Sequence, residues 1–174
     1  MTSAQPESTR GPGRQDSPGF KPGVEIRSSN FVVRLSTRSR ETDSHVCFEI
    51  YLLCADGSRD RLQYASSTWL TELVDNLNLV EIKIKRDGVD KEPQVLGRKV
   101  GVSIFYRHDE ATGKETSTAK LLIEGDGHWH HHLGESFDAS LIPELRQLTS
   151  DALNLMREEA LPELKGLGFK FNVT

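Results

Sequence analysis

The sequence predicts an α+β fold, a mostly antiparallel sheet of about six to seven strands with two helices in the order β-β-β-α-β-β-β-α-β. Three observations predict it. Several successive segments alternate apolar and polar residues with turn residues between them, which implies antiparallel neighbours. Two other segments repeat their apolar residues at helical spacing. The 174 residues suffice for one domain of ordinary size and are too few for two comfortable ones.

Residues 1–27 are expected to be a disordered N-terminal arm and 28–174 a single globular α+β domain. The first 23 residues are rich in Ser, Pro, Gly and Gln, with Gly11-Pro12-Gly13, Ser17-Pro18-Gly19 and Lys21-Pro22-Gly23, and Phe20 is their apolar anchor. Such a stretch buries too little surface to offset the entropy of ordering it. From Ser29 the pattern turns to strand, with Phe31, Val33 and Leu35 on one face. Residues 45–55 form a more continuous apolar run, as for a central strand covered on both faces. Asp56-Gly57 signals a turn, and Arg61 to Ser66 return as a third strand.

A helix over 68–77 follows, with Trp69, Leu70, Leu73, Val74 and Leu77 at helical spacing and Ser67 or Thr68 as N-cap. Val80, Ile82 and Ile84 alternate with Glu81, Lys83 and Lys85, which predicts a fourth strand. Residues 86–98 read as a polar loop. Val100 to Arg107 and Ser117 to Glu124 then form a hairpin, with Val100, Val102, Ile104 and Tyr106 facing Ala119, Leu121 and Ile123. A long helix starts near Asp138 or Ser140 with the stripe Leu141, Leu145, Leu148, Ala152, Leu155 and Met156; Pro143 fits its first turn and Pro162 kinks or ends it. Phe169-Lys170-Phe171-Asn172-Val173 reads as a last edge strand. The two halves share an order of elements, but their residues do not match, so no internal repeat is expected.

No apolar run reaches the ~18–20 residues that cross a bilayer, and the N-terminus lacks the apolar core of a secretory signal. A cytoplasmic protein is expected, without membrane contact. Cys47 and Cys54 differ by an odd number within one strand, so they point to opposite faces about 23 Å apart and read as reduced core cysteines. Net charge is −4, with residues 1–40 at +4 and the remainder at −8. That asymmetry favours a protein partner or homo-oligomer. The basic residues are scattered and no stacking aromatics accompany them, so nucleic acid is not expected.

One segment carries residues suited to chemistry: Glu124-Gly125-Asp126-Gly127-His128-Trp129-His130-His131-His132. Were the preceding strand extended through it, Glu124, Asp126, His128, His130 and His132 would share a face. Imidazoles two residues apart converge on zinc, with Asp126 as a further ligand and an open position for water. Against this, Gly125 and Gly127 more naturally mark a turn. No His-Glu-x-x-His helix, phosphate loop or nucleophile elbow supports an enzyme, and the catalytic residues of any enzymatic activity are not identifiable. The sequence therefore favours a non-enzymatic interaction or assembly module: a body docked on a partner, with the arm extended along it and no cofactor. Its alternative is a zinc-dependent hydrolase or metal sensor using His128, His130, His132 and Asp126.

Overall fold

The computed structural model, which describes residues 20–39, 44–130 and 135–159, holds an α+β fold of two antiparallel sheets and two α-helices. The first sheet is β1 (Phe20–Arg27), β2 (Phe31–Ser39), β3 (Ser44–Leu53) and β4 (Arg59–Ser66), in that spatial order. The second is β5 (Gln94–Leu96), β6 (Val100–His108), β7 (Glu115–Gly125) and β8 (His128–His130); β9 (Ser136–Asp138) also pairs with β7. Helix α1 (Leu70–Asp87) follows β4, and α2 (Ile142–Asn154) follows β9 and ends in a π-turn, Leu155–Glu159.

The period-2 faces hold. Phe31, Val33 and Leu35 of β2 and Val46, Phe48 and Ile50 of β3 face the core. In the second sheet Val100 opposes Ile123, Val102 opposes Leu121 and Ile104 opposes Ala119. On β3 the other face is buried too, through Cys47 and Glu49, as a central strand requires. Phe31 and Phe137 meet edge to face at 5.5 Å and tie β2 to β9.

Three segments depart from expectation. Residues 20–27, assigned to the arm, form β1. Pro22 and Gly23 fall at a bulge between Lys21 and Val24 on an edge strand, where a breaker is tolerated. Gly23 is needed there, because a Cβ would overlap the Leu35 carbonyl oxygen. The rest of the arm, 1–19, and the edge strand expected at 169–173 lie outside the described residues. Val80 to Lys85 are helix, not strand: α1 continues unbroken to Asp87. Leu70, Leu73, Leu77, Val80 and Ile84 recur at three- and four-residue steps and all pack on the core, while Ile82 is half exposed. The longer period wins because nothing between Asn78 and Val80 breaks the helix. The loop expected over 86–98 contains β5, too short to leave a periodic signal.

The two halves are also more alike than their residues suggest. Each builds an antiparallel sheet, then one 3₁₀ turn, then a helix. Ser66 accepts a hydrogen bond from the Thr68 N–H at the first turn, and Asp138 accepts one from the Ser140 N–H at the second. Behind these caps, Leu70-Thr71-Glu72-Leu73 matches Ile142-Pro143-Glu144-Leu145. The helices are exchanged: α1 packs on β5 and β6, and α2 packs on β1 and β2. The helices also pack on each other, antiparallel, with Arg146 paired to Glu81 at 2.5 Å and Arg157 to Thr71 at 3.4 Å.

Candidate functional site

The histidine segment folds as a hairpin, so the shared face of an extended strand does not form. Asp126 (φ 52°) and Gly127 (φ 79°) are the left-handed turn residues between β7 and β8. Glu124 pairs across with Trp129, and its Oε1 accepts from the Gly127 N–H at 3.2 Å. The ladder places Glu124 on the face opposite His128 and His130, which lie across from Gly125 and Ile123. Asp126 sits at the exposed tip of the turn. His132 lies outside the described residues. Among the described residues no group of three His, Cys, Asp or Glu side chains is placed to hold a metal ion.

His130 has a structural partner. Its Nε2 lies 3.3 Å from the Gly125 carbonyl oxygen, and the ring would lie 3.2 Å from a Cβ added at Gly125. It also borders a cavity of about 150 Å³ at the seam of the two sheets, with Arg61, Leu62, Gln63 and Tyr64 of β4 and Leu121 and Ile123 of β7. Gln63 bridges the seam, donating from Nε2 to the Leu122 carbonyl at 2.9 Å. Its Oε1 is buried and has no hydrogen-bond partner among the described residues.

A polar row crosses the non-core face of the first sheet, where Arg34, Glu49 and Tyr64 are in register. Glu49 is buried; its Oε2 accepts from the Tyr51 hydroxyl at 2.5 Å and lies 3.8 Å from Arg61. The Arg59 guanidinium lies over the Tyr51 ring and that of Arg61 over Tyr64. These arginines face their own carboxylates: Glu25 holds Arg59 at 2.9 Å and Glu49 attracts Arg61. Cys47 is buried as expected, whereas Cys54 is only half-buried, just beyond the end of β3. A hydrogen bond with Ser58 lowers the Cys54 pKa, but the hydrogen bond to Asp60, desolvation and the charges of Asp60 and Asp56 together outweigh it and hold the pKa above the usual thiol value. The sulfur is thereby kept protonated and poorly nucleophilic.

The remaining feature is an edge. Strand β5 ends the second sheet. Gly97 N–H donates to the Val100 carbonyl and Ile104 N–H to the Pro93 carbonyl, so alternation turns Val95 toward β6 and the backbone groups of Gln94 and Leu96 outward. Lys83 of α1 covers the Gln94 carbonyl at 3.2 Å. Among the described residues the large exposed apolar side chains are Leu79, Ile82, Leu96 and Phe105, all on α1, β5 and β6. Glu72, Asn76 and Lys83 each reach the β5–β6 region, so Leu79, on the same helix face, borders the edge, with Ile82 one step outside. Leu96 points to the opposite side of the sheet, across from Gly101. The edge is thus flanked by apolar side chains above and below. Sequence reasoning misses this site because β5 is three residues long and a strand pattern over 80–85 puts Ile82 on the same face as Val80 and Ile84.

Among the described residues, fold and site together define a two-sheet α+β fold of two similar halves with exchanged helices and an apolar sheet edge at β5. No protein-family model matches the chain, and no curated protein matches it in sequence. No helix among the described residues is long and apolar enough to cross a membrane.

Proposed function

We propose that the protein is a non-enzymatic interaction module whose body docks on a protein partner through the β5 edge, with the N-terminal arm as a second contact. The carrying observation is that edge: outward backbone groups on Gln94 and Leu96 with Leu79 and Ile82 on one side and Leu96 on the other. An extended partner segment adds there as a strand. Main-chain hydrogen bonds supply affinity, and its alternating side chains meet the two apolar flanks. The arm precedes β1, the outer strand of the first sheet. The test is capture of binding proteins from cells that express the chain, using the full-length protein and a Leu79→Glu/Ile82→Glu/Leu96→Glu variant. The variant, equally folded by circular dichroism, is expected to lose the bound proteins; an unchanged set overturns the reading.

The zinc reading keeps one supporting observation, that β8 carries His128 and His130 on one face. Its third ligand would come from outside the described residues, His132 being the candidate. Metal analysis of untagged protein decides it. Stoichiometric zinc lost on His128→Ala/His130→Ala replacement supports a metal centre, and substoichiometric zinc unaffected by the replacement overturns it.

A further inference from the structure

We infer that the β5 edge docks a second copy of this chain about a two-fold axis beside Val95; the inference rests on the reading of β5 as a docking edge. Helix α1 shows the symmetry first. Asp75, Leu79, Ile82 and Arg86 recur at steps of four, three and four residues and are all exposed, so they form one stripe along the helix. The stripe reads acid, apolar, apolar, base, and its centre lies between Leu79 and Ile82. An antiparallel copy of α1 therefore sets Leu79 against the partner's Ile82 and Asp75 against the partner's Arg86. A parallel copy would oppose like charges instead. Arg86 also holds Asp87 at 2.8 Å, and its guanidinium keeps donors for a second carboxylate.

The strand obeys the same axis. Gln94 and Leu96 turn their backbone groups outward. Antiparallel pairing about Val95 opposes Gln94 to the partner's Leu96, and each such pair exchanges both of its main-chain bonds. The Gln94 carbonyl has two lone pairs and so keeps its bond from Lys83. Lys83 reaches Gln94, and Glu72 reaches Arg98 and Lys99 in the turn after Leu96, so Val95 is level with the stretch from Leu79 to Ile82. One axis thus serves both strand and helix. Spacing agrees: α1 packs on both β5 and β6, and neighbouring strands lie about 4.8 Å apart. An axis half a strand spacing outside β5 leaves the two copies of α1 about 10 Å apart, the distance of packed helices. The pair is closed, because each β5 consumes the edge of the other and leaves no template there for further strands.

The test uses the full-length chain. Light scattering is expected to show a monomer–dimer equilibrium at concentrations up to about 100 µM, since a contact of this size sits at the weak end of specific interfaces. Leu79→Glu/Ile82→Glu should be monomeric. The single variants Asp75→Arg and Arg86→Asp, equally folded by circular dichroism, each set like charges across the axis and should dissociate at least about tenfold more readily. Mixed together they restore opposite charges at both pairs, so the mixture should regain the wild-type affinity as a heterodimer. Exchange of the Gln94 and Leu96 amides should slow as concentration rises, with β6 and β7 unchanged. A monomer at every concentration overturns the inference. So does a dimer that survives Leu79→Glu/Ile82→Glu, or single reversals that associate as well alone as mixed. The two readings fail separately. A monomeric chain whose capture of other proteins still depends on Leu79, Ile82 and Leu96 removes only this inference. A dimer that follows the charge rule, with other proteins captured equally by wild type and Leu79→Glu/Ile82→Glu/Leu96→Glu, removes only the reading of a different partner at this edge.

Discussion

Two glutamates do equivalent work in the two halves. Glu72 accepts from three backbone N–H groups, of Arg98, Lys99 and Val100, at 2.7, 2.8 and 3.0 Å. Glu144 accepts from the Ser28 hydroxyl at 2.5 Å and from the backbone and side-chain N–H groups of Asn30 at 2.7 and 2.8 Å. Each glutamate stands in the first turn of its helix and ties down a hairpin turn of the other half. Partial burial raises both pKa values, but the hydrogen bonds outweigh it and hold both carboxyls below the usual glutamate range. A depressed folded pKa contributes stability that is present above the unfolded value and lost as pH falls through the folded one. Replacing Glu72 or Glu144 by Gln should therefore cost about 1 kcal/mol at neutral pH, discounted for partial exposure. The gap to wild type should close below the ordinary glutamate range. Urea unfolding across pH 3–7 checks this, and a gap that stays constant with pH refutes it. These residues were legible only in hindsight: a first-turn glutamate reads as a local cap, and its long-range partners leave no trace in the sequence around it.

Helix α1 shows where periodicity misleads. Val80, Ile82 and Ile84 satisfy a strand pattern and Leu70, Leu73, Leu77, Val80 and Ile84 a helical one; the residue that separates the two is Ile82. In a strand, Val80 and Ile82 would be equivalent. In the helix Val80 is fully buried and Ile82 is half exposed. Val80→Ala is accordingly expected to cost about 1–2.5 kcal/mol and Ile82→Ala to stay within about 0.5 kcal/mol, by chemical unfolding. Equal losses would refute the helix. Longer elements with one clear period, β2, β3, β6, β7 and α2, were legible from sequence. The three-residue strands β5, β8 and β9 were not, because pairing to a longer neighbour holds them, not their own pattern. Strand β1 was obscured by Pro22-Gly23, residues that signal a break locally and a bulge once β2 is beside them.

At the scale of the whole molecule, the exchange of helices decides how the chain unfolds. Had each half packed its helix on its own sheet, two cores could melt separately. Instead α1 closes the second sheet and α2 the first, and Leu73 and Leu145, fully buried, belong to one apolar cluster drawn from both sheets. Neither half can keep its core when the other opens, so unfolding should be a single cooperative transition. The chain offers a probe in each half: Trp69, in the turn before α1, and Trp129, on β8. In single-tryptophan variants, Trp129→Phe and Trp69→Phe, the two fluorescence transitions should share one urea midpoint once each variant is compared with its own circular dichroism curve. Leu145→Ala, expected to cost about 2–5 kcal/mol, should move both probes together although α2 sits at the end of the second half. A midpoint that shifts for Trp129 alone would mean that the halves hold separate cores. The repeated first-turn motif would then mark two units that merely touch.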